Sequence, residues 1–168
     1  MPTLKQLSIA LGLLTSDHAP VPDQDGWVNY VWRVQAARQC LAVKDGYCEL
    51  VEDKWDWKRP QYYSFSFRAD PARNSVTSRI TLKNEDPEDD DQVCVVASYL
   101  NAAGQEVGIF YANWRALPGR SYTREAPIWL STDVREIETV AIGTKQCDVK
   151  AKPDAENFYR IRLALNQH

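Results

Sequence analysis

Tyr62-Tyr63-Ser64-Phe65-Ser66-Phe67-Arg68-Ala69 alternates without a break. Successive side chains of a strand leave opposite faces, so Tyr63, Phe65 and Phe67 point one way and Tyr62, Ser64, Ser66 and Arg68 the other. One buried face and one wet face is how antiparallel sheets behave. The neighbouring segments follow the same period. Ser75 to Leu82, Glu106 to Asn113, Ile128 to Ser131, Glu136 to Gly143 and Phe158 to Leu165 read as strands, and the nearly all-apolar Val93 to Leu100 reads as a central one. Asn101-Ala102-Ala103-Gly104 joins Val93–Leu100 to Glu106–Asn113 as a hairpin. Trp27 to Gln35 is the first strand. Trp27 and Trp32, five apart on it, face opposite sides, so one belongs to the core.

Cys40–Val43 and Tyr47–Glu52 flank Lys44-Asp45-Gly46, and Asp-Gly is a strong hairpin signal because both residues tolerate positive φ. A two-residue turn there puts Leu41, Val43, Cys48 and Leu50 on one face. It also sets Cys40 opposite Cys48 and so disfavours a bond between them. About nine or ten short strands with turns at close spacing, and no helix long enough for a parallel crossover, predict an antiparallel β-sandwich or jelly roll.

Ahead of that body the period changes. In residues 3–15, Leu4, Leu7, Leu11 and Leu14 form a stripe at helical spacing, with Thr3 as N-cap and Ala19-Pro20-Val21-Pro22 as the stop. The expected organisation is an amphipathic amino-terminal helix over 1–19, a linker over 20–26 and one β domain over 27–168. The stripe packs on the β domain, or pairs with a copy of itself or a partner. A secretory leader is the rival reading, weakened by a short apolar run and by Asp17 near the only plausible cut. The run is too short to span a bilayer.

With 168 residues the chain can bury a substantial core. Its formal charge of −3 and lack of any Lys/Arg run argue against nucleic-acid binding. Cys40, Cys48, Cys94 and Cys147 lack metal-ligand spacing, and the only histidines are His18 and His168. The thiols are compatible with two disulfides in any of three pairings; reduced, buried thiols and hence a cytoplasmic rather than secreted setting are slightly favoured. The scarcity of histidine weakens Ser-His and Cys-His catalysis and cupin-type metal chemistry. No nucleophile elbow, phosphate loop or dinucleotide fingerprint occurs.

The acidic run Glu85 to Asp91 reads first as a solvated loop and second as a Ca²⁺ site at Asp89, Asp90 and Asp91, without the glycine and closing Glu of an EF-hand. No other cofactor is expected. The most unusual stretch is Lys54-Trp55-Asp56-Trp57-Lys58-Arg59-Pro60-Gln61-Tyr62, where Trp55 and Trp57 share a face in an extended chain. Flat rings beside Asp56 and Arg59 suit a sugar, whose apolar face stacks on an indole, or a protein hot spot, where Trp, Tyr and Arg are enriched. Core packing is the bland alternative. Trp114 and Arg115 form a second candidate in the loop before Pro118-Gly119. The resulting expectation is a non-enzymatic module that recognises a partner protein or glycan through Trp55, Asp56, Trp57, Arg59, Tyr62, Trp114 and Arg115. Two alternatives remain: a structural subunit of a homo-oligomer held by the leucine stripe, and a small jelly-roll glycosidase pairing two of Glu49, Glu52, Glu106, Glu125, Glu136 and Glu138.

Overall fold

In the computed structural model, which describes residues 30–56 and 58–147, the alternation of residues 62–69 becomes a strand with three rings on its inner side. Eight strands follow in order: β1 (Val31–Ala36), β2 (Cys48–Asp56), β3 (Gln61–Asp70), β4 (Ser75–Asn84), β5 (Asp91–Leu100), β6 (Glu106–Ala116), β7 (Ser121–Trp129) and β8 (Thr139–Gln146). They form two four-stranded antiparallel sheets. The first has the order β1-β8-β5-β6 and the second β2-β3-β4-β7.

The inner faces share one core. Tyr63, Phe65, Phe67, Val76, Ile80 and Leu82 of the second sheet meet Val93, Val95, Ala97, Tyr99, Phe110, Val140 and Ile142 of the first. Phe67 packs edge-on to Tyr99 at 5.4 Å between ring centroids. The Tyr99 hydroxyl lies in hydrogen-bond contact with Ser78 Oγ at 2.6 Å, which satisfies two buried polar groups across the layers. Burial of this phenol pushes its pKa up. At one edge Arg33 of β1 bridges to Asp53 of β2 at 2.8 Å, tying sheet to sheet. The other face of the first sheet is apolar too: Val96, Ala141, Cys94 and Leu100 are all buried. The Trp32 ring lies on Gly143, where an added Cβ would come within 2.9 Å of its carbons.

Several expectations are corrected. The segment expected as the strand Cys40–Val43 is a 3-10 helix, Arg38–Ala42, so no hairpin forms at Asp45-Gly46 and β2 pairs with β3 instead. The opposite-face objection to a Cys40–Cys48 bond assumed a strand. In the 3-10 turn Cys40 points inward and is bonded to Cys48, and Cys94 is bonded to Cys147. The leaning toward free thiols is overturned with it, since no cysteine is left unpaired. The short strand Ile128–Ser131 is instead the end of β7, nine residues long from Ser121. Pro127 disguised it, because proline cannot donate to a ladder and is tolerated only at a sheet edge, where β7 lies. Near the end, Val134–Glu136 forms a 3-10 turn and β8 begins at Thr139 rather than Glu136. Trp27, the expected helix over 1–19, the linker over 20–26 and the strand Phe158–Leu165 lie outside the described residues.

Candidate functional site

The residues singled out around Trp55 are brought together at one end of the molecule, but in a form that turns inward. Trp55 follows Val51 and Asp53 on the inner side of β2 and is 5% exposed. Its Nε1 donates to Asp91 Oδ2 at 2.9 Å. Gln146 Nε2 of β8 donates to the same oxygen at 2.9 Å and to Asp56 Oδ2 at 3.1 Å. Arg59 pairs with Asp89 and approaches Asp56 at 3.9 Å, and Arg115 pairs with Asp90. Trp114 is 6% exposed, with the Arg124 guanidinium 4.9 Å from its ring centre.

Two placements bear on the expected site. The rings of Trp55 and Trp114 belong to the core, so neither presents the open face expected for a ligand. The three aspartates expected to share a cation point to three different partners, and no group of three or more metal-ligating side chains converges among the described residues. Asn84 closes the end: its Nδ2 donates to the carbonyls of Asp89 and Ala116, and its Oδ1 accepts from Gln61 and from the Asp86 amide. This cluster is a polar staple joining β2, β4, β5, β6 and β8. Trp57 and the stripe Leu4, Leu7, Leu11 and Leu14 lie outside the described residues.

An aromatic surface exists, on a different face. Because Tyr63, Phe65, Ile80 and Leu82 face the core, the residues next to them along each strand stand on the outer side of the second sheet. Cross-strand rows follow from that register. Glu49, Ser66, Arg79 and Glu125 form one row; Glu52, Ser64, Thr81 and Thr123 the next; Lys54, Tyr62, Lys83 and Ser121 the one beyond. On the other side come Arg68, Thr77 and Pro127, then Ser75 and Trp129. Trp129 is 70% exposed, the most open large apolar side chain described.

Tyr47, just ahead of β2, lies over this face. Its ring centre is 4.0 Å from the Arg79 guanidinium and 5.2 Å from that of Arg68. Its hydroxyl donates to Glu125; burial first, then that carboxylate, pushes the phenol pKa up, against the opposing pull of Arg68 and Arg79. The turn that delivers Tyr47 is built locally: Gly46 takes φ +79°, which glycine adopts without strain, and the next residue, Cys48, is bonded to Cys40. Arg79 Nη2 also bonds Glu49 at 2.9 Å and its Nε reaches Ser66 Oγ at 3.2 Å. Lys54 sits 5.4 Å from the Tyr62 ring centre, and Lys83 is held by Glu85 at 2.6 Å, which raises its pKa.

A groove of about 420 Å³ runs beside β2, lined by Glu49, Leu50, Val51, Glu52 and Ser64. It follows a register shift between Glu49 and Val51. The six glutamates weighed for hydrolysis are spread out. Glu49 is taken by Arg79, Glu106 accepts from Ser98, Glu125 from Tyr47 and Glu138 from Arg38. Glu49 and Glu52 line the groove beside β2 together, and both are exposed.

Of the binding residues expected from sequence, Tyr62 alone among the described residues stands on this face; of the expected glutamates, Glu49, Glu52 and Glu125 do. Tyr47, Arg68, Arg79 and Trp129 were missed as site residues. Arg68 was already assigned to the wet side of its strand, but Trp129 sits in the apolar run Ile128-Trp129-Leu130, which reads as core until register with β4 is known.

No protein-family model matches the chain, and no curated protein matches it. Among solved structures it is similar to the Salmonella enterica trimeric lipoprotein SadB at 10% identity, over 85% of this chain and 71% of that one, with a TM-score of 0.36. It is also similar to the enzymatically active domain of bacteriophage CBA120 tailspike protein 4 at 9% identity, over 79% of this chain and 20% of that one, with a TM-score of 0.24. Likenesses this distant carry neither fold nor function across.

Proposed function

We propose that this chain is a β-sandwich recognition module, without catalytic chemistry, that binds a partner protein or glycan through the outer face of the second sheet. Trp129 carries the reading: a tryptophan 70% exposed, on the same face as a Tyr47–Arg79 stack. Isolated exposed apolar residues are common, but one as large as Trp beside stacked Tyr and Arg has the composition of a binding hot spot. The charged groups of this face are mostly matched to each other, which suits reversible recognition better than proton transfer. The reading needs no cofactor; Asp89, Asp90 and Asp91 have work enough in the staple. Two disulfides favour an oxidising location over the cytoplasmic setting first leaned toward. No helix among the described residues is long and apolar enough to cross a membrane.

The test offers the biotinylated native chain to a printed glycan array and to a randomised peptide library, then repeats both with Trp129→Ala and with Tyr47→Ala. Bound glycans or peptides should weaken at least about tenfold with Trp129→Ala, the loss typical of a hot spot. Circular dichroism must show the variants folded. No binder of either kind, or binders indifferent to both substitutions, would sink the reading.

A further inference from the structure

Resting on that reading, we infer that the strip from Trp129 across Thr77 to Arg68 is a subsite for an acidic oligosaccharide, one that carries carboxylates. Three observations converge. Trp129 offers an open indole face at the end of β7, beside Pro127 on the same strand and face. Arg68 is exposed and, unlike Arg79, has no carboxylate partner among the described residues; its guanidinium lies over the Tyr47 ring, 5.2 Å from the ring centre. Between them stands the hydroxyl of Thr77, in register with both Arg68 and Pro127.

The spacing suits an extended sugar. Arg68 and Trp129 are separated by two strand spacings and by two residues along β7, so their backbones lie about 12 Å apart. That is the reach of a short oligosaccharide lying flat, one ring stacked on the indole and a carboxylate further along on the guanidinium. Arginine matches a carboxylate with two parallel N–H donors, and a guanidinium already stacked on Tyr47 loses little side-chain freedom on binding. Charge selects the ligand class: Arg68 has no carboxylate partner among the described residues, whereas Glu49 and Glu125 are already engaged by Arg79 and Tyr47, and Asp70, in the row of Ser75 and Trp129, pairs with Arg73 at 3.8 Å. A peptide would need donors for its backbone amides; those of β3 and β4 are taken up in the ladder, and the free edge of β7 points sideways, away from the face that carries Trp129, Thr77 and Arg68.

The decisive experiment titrates the native chain with hexagalacturonate and, separately, with its neutral galactose counterpart, by calorimetry and tryptophan fluorescence. The acidic oligomer should bind at least about tenfold tighter, a preference that shrinks as salt is raised. Arg68→Ala should remove about tenfold of affinity for the acidic oligomer and leave the neutral one unchanged, while Trp129→Ala weakens both. Equal affinity for the two oligomers, or an acidic preference that survives Arg68→Ala, would overturn the inference. So would failure of both sugars; if library peptides still bound in a Trp129-dependent way, the recognition face would stand and only its sugar assignment would fall.

Discussion

Trp55 and Trp114 differ at one atom that matters. Both are core rings, but the Trp55 Nε1 donates to Asp91 while the Trp114 Nε1 is buried with no hydrogen-bond partner among the described residues. Removing the first donor strips a charge-assisted bond from the staple, whereas removing the second relieves an unmet one. Trp55→Phe is therefore expected to cost at least about 1 kcal/mol more stability than Trp114→Phe. Urea denaturation of the two variants measures the difference. Sequence spacing pairs Trp55 with Trp57 on one face of an extended chain but does not say which face; Trp57 lies outside the described residues, and Trp55 turns inward. That orientation follows the register of Val51 and Asp53 with β3, which, past the shift after Glu49, turns Val51, Asp53 and Trp55 toward the core.

Elements show where local pattern speaks and where it fails. β3, β4 and β5 were legible because their alternation or continuous apolarity is set by burial, which tertiary contacts do not reverse. The stretch Arg38–Ala42 was not legible, because Cys-Leu-Ala-Val has the composition of a strand and a covalent bond to Cys48 turns it instead. β7 was half legible: Arg124 stands in register with the core residue Ile80 and spoils the alternation, and Pro127 argues against any strand except at an edge. β8 makes a sharper demand. Gly143 leaves room for the Trp32 ring, and a methyl group there must push the indole or the strand. Gly143→Ala should destabilise by about 1–3 kcal/mol, the usual cost of overpacking. Trp32→Ala in the same chain should recover part of it, since the clash and its partner leave together. A double-mutant cycle by thermal melting checks both.

Across the whole molecule, buried phenols tie stability to alkaline pH. Burial, and then the Asp53 carboxylate, push the Tyr63 pKa from 10.0 to about 12. Tyr99 is raised by burial alone. A raised pKa means the unfolded chain gives up its proton first, so this stability is whole below pH 10 and is lost as pH rises toward 12. Between those values each buried phenol should steepen the fall by up to about 1.4 kcal/mol per pH unit, and Tyr63→Phe should flatten it. Denaturant titrations at stepped pH measure the slope. At this scale the two-sheet outline was legible and the proposed recognition face was not, because a face is assembled from four strands and only their mutual register reveals it. The Cys94–Cys147 bond has a consequence of a mechanical kind. Strands β1 and β8 are antiparallel neighbours with Tyr30 and Lys145 side by side, 5.1 Å between ammonium and ring. A load applied at residues 30 and 147 would by itself unzip that pair one hydrogen bond at a time. With Cys147 clamped to Cys94, the pull at the far end passes into the central strand β5, and only β1 is left free to peel.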